Sequence, residues 1–253
     1  MTYDAKCILC GRCAQACPLD AIVVDPQKSR RIDRVKCNLC FECVEACPTG
    51  ALRKAGDNMT VEQVVAEIEQ DEIFYRRSGG GVTVSGGEPL FQWQFVYSLL
   101  EACKRRSYHT ALDTCGYARW NVFEKVLEYT DLVLFDIKHI DPKEHKRATG
   151  KDNILILKNL HRLAATGIKI WLRFPVIPGY NDSTENVTRL ARLAVETGAE
   201  RVSLLPYNEL GRGKYDSLDM TYPLEGTKPP GDDHIQHIKG IIESHGVPAI
   251  IGS

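Results

Sequence analysis

Of the ten cysteines in this 253-residue chain, eight fall in two copies of one pattern, C-x2-C-x2-C-x3-C-P. The first copy is Cys7, Cys10, Cys13 and Cys17 before Pro18; the second is Cys37, Cys40, Cys43 and Cys47 before Pro48. Thiolate is the soft anionic ligand that iron in a sulfide cluster prefers, and three thiolates two residues apart can wrap three irons of one cube from a single loop. The fourth thiolate of each run reaches the other cube in this arrangement. The spacing therefore predicts two 4Fe-4S clusters, one on Cys7, Cys10, Cys13 and Cys47, the other on Cys37, Cys40, Cys43 and Cys17. The copies lie thirty residues apart and continue alike, CPLDAIVV beside CPTGALRK, which marks an internal duplication. A disulfide scaffold would be short and cysteine-rich throughout, yet only Cys103 and Cys115 follow Cys47. Structural zinc takes four ligands per site and does not use this spacing with a following proline.

The length suits a core of about 200 residues with a small attachment. Charge is nearly balanced, a formal net of −1, with no long run of Lys and Arg, so neither a nucleic acid nor a membrane surface is expected as a partner. The opening MTYDAKC has no apolar signal region, and no apolar stretch approaches the roughly 18 residues of a membrane span. A reducing, anaerobic cytoplasm is the expected location.

After Lys54 the cysteine pattern stops and short branched-apolar runs alternate with helical stretches. Strands are expected at Gly81–Ser85, Thr110–Thr114, Leu132–Ile137, Ile168–Val176, Arg201–Tyr207 and Pro248–Gly252. Helices are expected at Thr60–Asp71, Pro89–Arg106, Trp120–Tyr129, Asn153–Thr166, Ser183–Thr197 and Asp233–His245. Such alternation argues for parallel strands with crossover helices, whose carboxyl ends gather ligands. The chemistry is accordingly expected on Ser85–Pro89, Asp113–Tyr117, Asp136–Lys138, Arg173 and Pro206–Gly211. The domains read as 1–54, a ferredoxin-like two-cluster module, and 55–253, an α/β body.

The segments SGGGVTVSGGEPLFQ, LDTCGY, LVLFDIKHID, RATG, LRFPVIPGYND and LLPYNELGRGKY, in this order, resemble the activating enzymes of glycyl radical enzymes. These form a branch of the radical S-adenosylmethionine superfamily; the members with an inserted two-cluster ferredoxin domain serve partners other than the simplest pyruvate formate-lyase. The resemblance implies a partial (β/α) barrel behind a bacterial ferredoxin-like domain. It also implies an activity: reductive cleavage of S-adenosylmethionine to a 5′-deoxyadenosyl radical that takes hydrogen from a glycine of the partner enzyme. A flavodoxin or ferredoxin would donate electrons, and the two ferredoxin clusters would relay them.

By the same resemblance Gly86, Gly87 and Glu88 receive the amino end of the methionine moiety. Asp113, Asp136, the Thr114 hydroxyl and the Leu134 carbonyl resemble a monovalent-cation site that also meets the methionyl carboxylate. Lys138 and Arg173 resemble cationic contacts to the cofactor or to the partner's backbone, with an ordinary ion pair as the alternative for each. Asn208 stands where many relatives carry His, and Asn takes up no proton near neutral pH. Cys103 reads as a small buried hydrophobe, and the lone thiol of Cys115 is weak evidence for a ligand.

The family holds its catalytic cluster on CxxxCxxC, ahead of the ferredoxin insert, and no CxxxCxxC occurs here. No catalytic residue is therefore assigned. The chain reads as an N-terminally truncated activating enzyme lacking the first barrel strand, inactive as it stands, with the third 4Fe-4S cluster expected only in a full-length protein. Two other functions fit the same residues: a ferredoxin-like electron carrier, and a noncatalytic binding partner of a glycyl radical enzyme. The strand at Gly81–Ser85 is expected to be an exposed edge prone to association.

Overall fold

The computed structural model describes residues 1–25, 29–218 and 220–252. In chain order its regular elements are α1 (Arg12–Gln15), β1 (Ile22–Asp25), β2 (Ser29–Ile32), α2 (Glu42–Glu45), α3 (Val61–Glu69), α4 (Glu72–Ser78), β3 (Gly81–Val84), α5 (Trp93–Arg105), β4 (His109–Thr114), α6 (Trp120–Leu127), β5 (Leu132–Asp136), α7 (Pro142–Thr149), α8 (Ile154–Ala164), β6 (Lys169–Val176), α9 (Thr184–Glu196), β7 (Arg201–Pro206), α10 (Arg212–Ser217), α11 (Asp232–Glu243) and β8 (Ala249–Ile251). They form two units, Met1–Asn58 with Asn208–Thr227, and Met59–Tyr207 with Lys228–Ser253.

In the first unit the duplication is visible in the backbone. Leu9 and Leu39 both take positive φ, 54° and 62°, and so do Gly11 and Phe41, at 73° and 67°, just before α1 and α2. Left-handed torsions are costly for side-chain-bearing residues, so their recurrence at the same step of each loop marks one tight wrapping path used twice. The hairpin β1–β2 is antiparallel. A second pairing joins the ends of the unit: Thr2 bridges Leu52, and the Tyr3 amide donates to the Ala51 carbonyl at 2.9 Å. The segment that carries α10 joins them through the Thr2 amide, which donates to the Ser217 carbonyl at 3.0 Å. The buried core is small, Cys13, Ile22 and Leu52 with Cys17, Cys43, Val44 and Cys47 packed against it. A core of that size needs a staple to hold it, and metal is one of the few available.

The second unit is a six-stranded sheet in the order β3-β4-β5-β6-β7-β8, every neighbour parallel. These are the parallel strands with crossover helices that the alternation predicts, in the partial (β/α) fold that the family resemblance implies, and all six expected strands are present. Side chains alternate between faces along each strand. On β6, Ile170, Leu172, Phe174 and Val176 are buried in the main core with Leu112, Phe135 and Leu160, whereas Trp171 and Arg173 are only half-buried. Register pairs Asp113 with Leu134, Leu134 with Trp171 and Asp136 with Arg173, so the second face carries the charges. The outer edge of β3 pairs with no strand among the described residues.

Local sequence explains the helix starts. Thr60 and Gln63 form a reciprocal capping box ahead of α3. Asp141 accepts from the amides of Lys143 and Glu144, with Pro142 at the first position of α7. Five of the described helices were not expected from periodicity: α1, α2, α4, α7 and α10. Helix α7 buries only His145, and α4 leaves Ile73 and Phe74 exposed, so neither shows the apolar stripe that periodicity detects. The expected helix at Pro89–Arg106 begins instead as a 3-10 turn, Pro89–Gln92, and becomes α-helical only at Trp93.

Candidate functional sites

The first unit contains two cavities walled by cysteine. One is lined by Cys7, Cys10, Cys13 and Cys47, with Val24 and Thr49 beside them. The other is lined by Cys17, Cys37, Cys40 and Cys43, with Arg34 and Arg53. Each cavity thus draws three thiols from one copy of the motif and its fourth from the other copy. None of the ten cysteines is in a disulfide. No three His, Cys, Asp or Glu side chains converge closely enough for a single metal ion among the described residues. A cubane makes no such demand, because its thiolates bind irons at separate corners.

The electrostatics of the thiols agree with clustering. Burial, then the neighbouring Cys37, Cys40, Cys17 and Cys13, push the Cys43 thiol above its ordinary range, a repulsion that bound cations would relieve. Burial also acts to raise Cys47, but hydrogen bonds from Leu52, Thr49 and Ala51 outweigh it and hold that thiol low. The Ala21 amide donates to Cys17 Sγ at 3.3 Å. Soft anionic donors with N–H groups aimed at their sulfurs fit iron–sulfur clusters in both cavities.

The second unit gathers its polar side chains at the carboxyl ends of β3 to β6. Ser85 Oγ donates to Asp113 Oδ2 at 2.9 Å, and Arg173 Nη1 donates to the same oxygen. Lys138 Nζ donates to Asp136 Oδ2 at 3.2 Å, and Arg173 Nε stands 3.8 Å from Asp136 Oδ1. Two carboxylates and two cations therefore share one face across three strands. They are not mutually satisfied: Asp136 Oδ1 and Arg173 Nε are buried with no hydrogen-bond partner. Buried polar atoms normally find partners, so this pair leaves hydrogen-bonding capacity unused at the strand ends. Burial raises the Asp136 carboxyl above its usual range and Asp113 adds to it, with Lys138 and Arg173 opposing.

Glu88 is engaged differently. Its carboxylate accepts from Thr114 Oγ1 at 2.6 Å, Cys115 N at 3.0 Å, Cys115 Sγ at 3.1 Å and Leu90 N at 3.2 Å. It fastens the loop after β3 to the loop after β4. Thr114 in turn accepts from the Gly116 amide at 2.9 Å. Gly116 has φ 69°, and a Cβ there would stand 2.5 Å from the Phe135 ring. Gly86, at φ 130°, and Gly87 face open space instead, with nothing within 4 Å of where a Cβ would be. Their backbone is open to a ligand, which fits the amino end of a methionyl group. Asn208 begins the segment grouped with the first unit, and its side chain accepts from the Leu210 amide at 3.1 Å.

Sequence reasoning did not single out the buried asparagines Asn153, Asn159, Asn181 and Asn186, whose side chains bond to strand-end loops. Nothing in their spacing signals this: Asn153 and Asn181 stand in loops, where asparagine is ordinary turn chemistry, and Asn159 and Asn186 lie within α8 and α9.

Residues 36–191 match the radical SAM superfamily, and residues 6–51 match the 4Fe-4S dicluster domain. The chain is 44% identical over 218 residues to the isethionate sulfite-lyase activating enzyme of Oleidesulfovibrio alaskensis, covering 85% of this chain and 70% of that protein. It is 42% identical over 256 residues to the indoleacetate decarboxylase activating enzyme of Tractidigestivibacter scatoligenes, covering 97% and 81%. A crystal structure of a domain of the pyruvate-formate lyase-activating enzyme from Bacteroides vulgatus superposes with TM-score 0.59 at 30% identity, over 69% of this chain and 99% of that one. Streptococcus suis SuiB, in a crystal with S-adenosylmethionine, shares the fold at TM-score 0.60 and 15% identity, over 81% and 46%. The chain belongs to the radical SAM superfamily, carries a 4Fe-4S dicluster domain, and is homologous to the activating enzymes of glycyl radical enzymes, a family whose cofactors are 4Fe-4S clusters and S-adenosylmethionine.

Proposed function

We propose that this chain serves the activation of a glycyl radical enzyme, with its first unit relaying electrons and its second binding the methionyl end of S-adenosylmethionine. The observation that carries the reading is the crossed lining of the two cysteine cavities. Cys7, Cys10, Cys13 and Cys47 hold one 4Fe-4S cluster; Cys37, Cys40, Cys43 and Cys17 hold the other. The clusters supply one-electron transfer at low potential. At the strand ends, the open backbone of Gly86 and Gly87 receives an ammonium group, while Arg173 Nε and Lys138 Nζ attract a carboxylate. Asp113, Asp136 and Thr114 offer hard oxygens for a monovalent cation. Glu88 contributes by fixing two loops, since its oxygens already accept four bonds. A flavodoxin or ferredoxin in the cytoplasm is the electron donor.

A second reading has one observation in its favour. The two crossed cysteine cavities suffice for electron relay on their own, which is the work of a ferredoxin-like carrier. One experiment tests both. The protein is reconstituted anaerobically with iron and sulfide, reduced, and given S-adenosylmethionine, and iron content, electron paramagnetic resonance and 5′-deoxyadenosine are measured. Two clusters are expected on the eight cysteines, with Cys47→Ala abolishing the same cluster as Cys10→Ala; 5′-deoxyadenosine formed alongside them favours activation, and electron transfer without it favours the carrier. Loss of different clusters in the two variants would overturn the crossed assignment.

A further inference from the structure

The three residues that follow Ile137 at the end of β5 are held almost entirely by buried asparagines. Asn181 Nδ2 donates to the Lys138 carbonyl at 2.9 Å. Asn153 Nδ2 donates to the His139 carbonyl at 2.8 Å and to the Ile140 carbonyl at 2.9 Å. The Ile140 amide donates to Asn186 Oδ1 at 3.0 Å. Asn153, Asn181 and Asn186 are 1%, 0% and 3% exposed, so water does not substitute for them. Strand-end loops usually lie on the surface with solvent satisfying much of their backbone, and this one is instead built into the protein.

Asn181 differs from the other two because it touches two strand ends. Besides the Lys138 carbonyl after β5, its Nδ2 donates to the Pro175 carbonyl at 2.6 Å, within β6, and its Oδ1 accepts from the Ile177 amide at 2.8 Å. Its own backbone carbonyl is held by Asn186 Nδ2 at 2.7 Å. The two strands so joined carry Asp136 and Lys138 on one side and Arg173 on the other, and Asp136 and Arg173 are register partners. Only a carboxamide offers two N–H donors and an acceptor in one plane. Aspartate has the same shape but would turn an acceptor towards two carbonyls.

We infer that Asn181 is a positioning residue for the charged cluster at the strand ends: by clamping Lys138 to β6 it sets the spacing of Lys138 and Asp136 against Arg173, and so the fit of the methionyl group. The inference rests on the S-adenosylmethionine reading above. Asn186 and Asn153 support it by fixing the rest of the loop.

The test uses the reconstituted full chain, as Asn181→Asp and Asn186→Ser. Binding of S-adenosylmethionine is measured by calorimetry, and amide exchange is followed for Ile137, whose N–H donates to the Arg173 carbonyl at 2.9 Å, and for Ile140 and Ile177. Asn181→Asp turns an acceptor towards the Lys138 and Pro175 carbonyls and so displaces Lys138 from β6; it should weaken binding about tenfold and speed exchange at all three amides. Asn186→Ser keeps the Asn181 side chain and should act in the same direction with a smaller loss, which keeps the test alive if Asn181→Asp does not fold. Unchanged affinity alongside faster exchange would reduce Asn181 to a structural role and overturn the inference. If the unaltered protein binds no S-adenosylmethionine, the reading of the site fails. The clamp is then judged on exchange alone, where unchanged protection of Ile137 in the variants refutes it.

Discussion

Two aspartates flank the same strand. Asp131 immediately precedes β5 and Asp136 is its last residue. At the amino end, Asp131 accepts from Lys104 Nζ at 2.7 and 2.9 Å, from the Thr110 amide at 2.9 Å and from Thr110 Oγ1 at 3.1 Å. Burial acts to raise its carboxyl, but these bonds win and hold it below the usual range. At the carboxyl end, Asp136 keeps one buried oxygen without a partner and lies above that range. One carboxylate is finished by the fold and the other is left incomplete by it. Parallel strands deliver such a contrast because their carboxyl ends open into the loops that meet ligands, while their amino ends are free to be optimised for stability.

The largest effect should come from the finished end. Asp131→Ala leaves the fully buried Thr110 amide without its acceptor and Lys104 without its partner, at a cost of about 2 kcal/mol. Urea unfolding measures the loss. Binding of S-adenosylmethionine to the folded fraction should be unchanged. A weakened affinity with normal stability would erase the division between the two ends.

At the unfinished end the effect should move from stability to binding. Asp136→Asn should alter stability at neutral pH by less than about 1 kcal/mol while weakening binding of S-adenosylmethionine. The pH dependence sharpens the contrast. For Asp131 the folded value lies below the ordinary 3.8, so its stabilisation is complete above 3.8 and is lost as pH falls through the folded value. For Asp136 the folded value lies above 3.8, so the folded state holds its proton longer than the unfolded chain does. Stability contributed there declines as pH rises from 3.8 through the raised value, and Asp136→Asn should remove that decline. Thermal melts of the two variants and the parent across this window should therefore diverge in opposite directions; parallel curves would mean that the two carboxylates share one environment.

The same contrast explains what could be read before folding. The crossed lining of the two cysteine cavities is what the motif and its known two-cluster arrangement predict, because each loop carries three of the cysteines and presents them with its own left-handed turns. The six strands follow from branched-apolar runs, and the charged ends of β4, β5 and β6 follow from where those runs stop. What Glu88 does with its oxygens did not follow. A carboxylate beside two glycines suggests a ligand, whereas the structure turns it to Thr114 and Cys115, twenty-six and twenty-seven residues away. The asparagine clamp is hidden for the same reason: Asn181 bonds a carbonyl forty-three residues distant, and only topology brings the two together. Helix α7, which buries a single histidine, carries too little apolar signal to be found.

The smallest effect concerns Cys115, where the carboxyl end does finish a carboxylate. Burial first, then the charge of Glu88 and its hydrogen bond, push the Cys115 thiol up to about 11. At pH 8 roughly 1 in 1,000 of these thiols is then ionised, and the thiolate is the nucleophile. Alkylation followed by peptide mass spectrometry should therefore find Cys115 far slower in the folded protein than in the unfolded chain. Glu88→Gln removes the charge but not the burial, so labelling should accelerate while staying below the unfolded rate. Should Glu88→Gln leave the rate unchanged, burial alone would govern the thiol, and Glu88 would lose its place as the carboxylate that this end of the sheet completes.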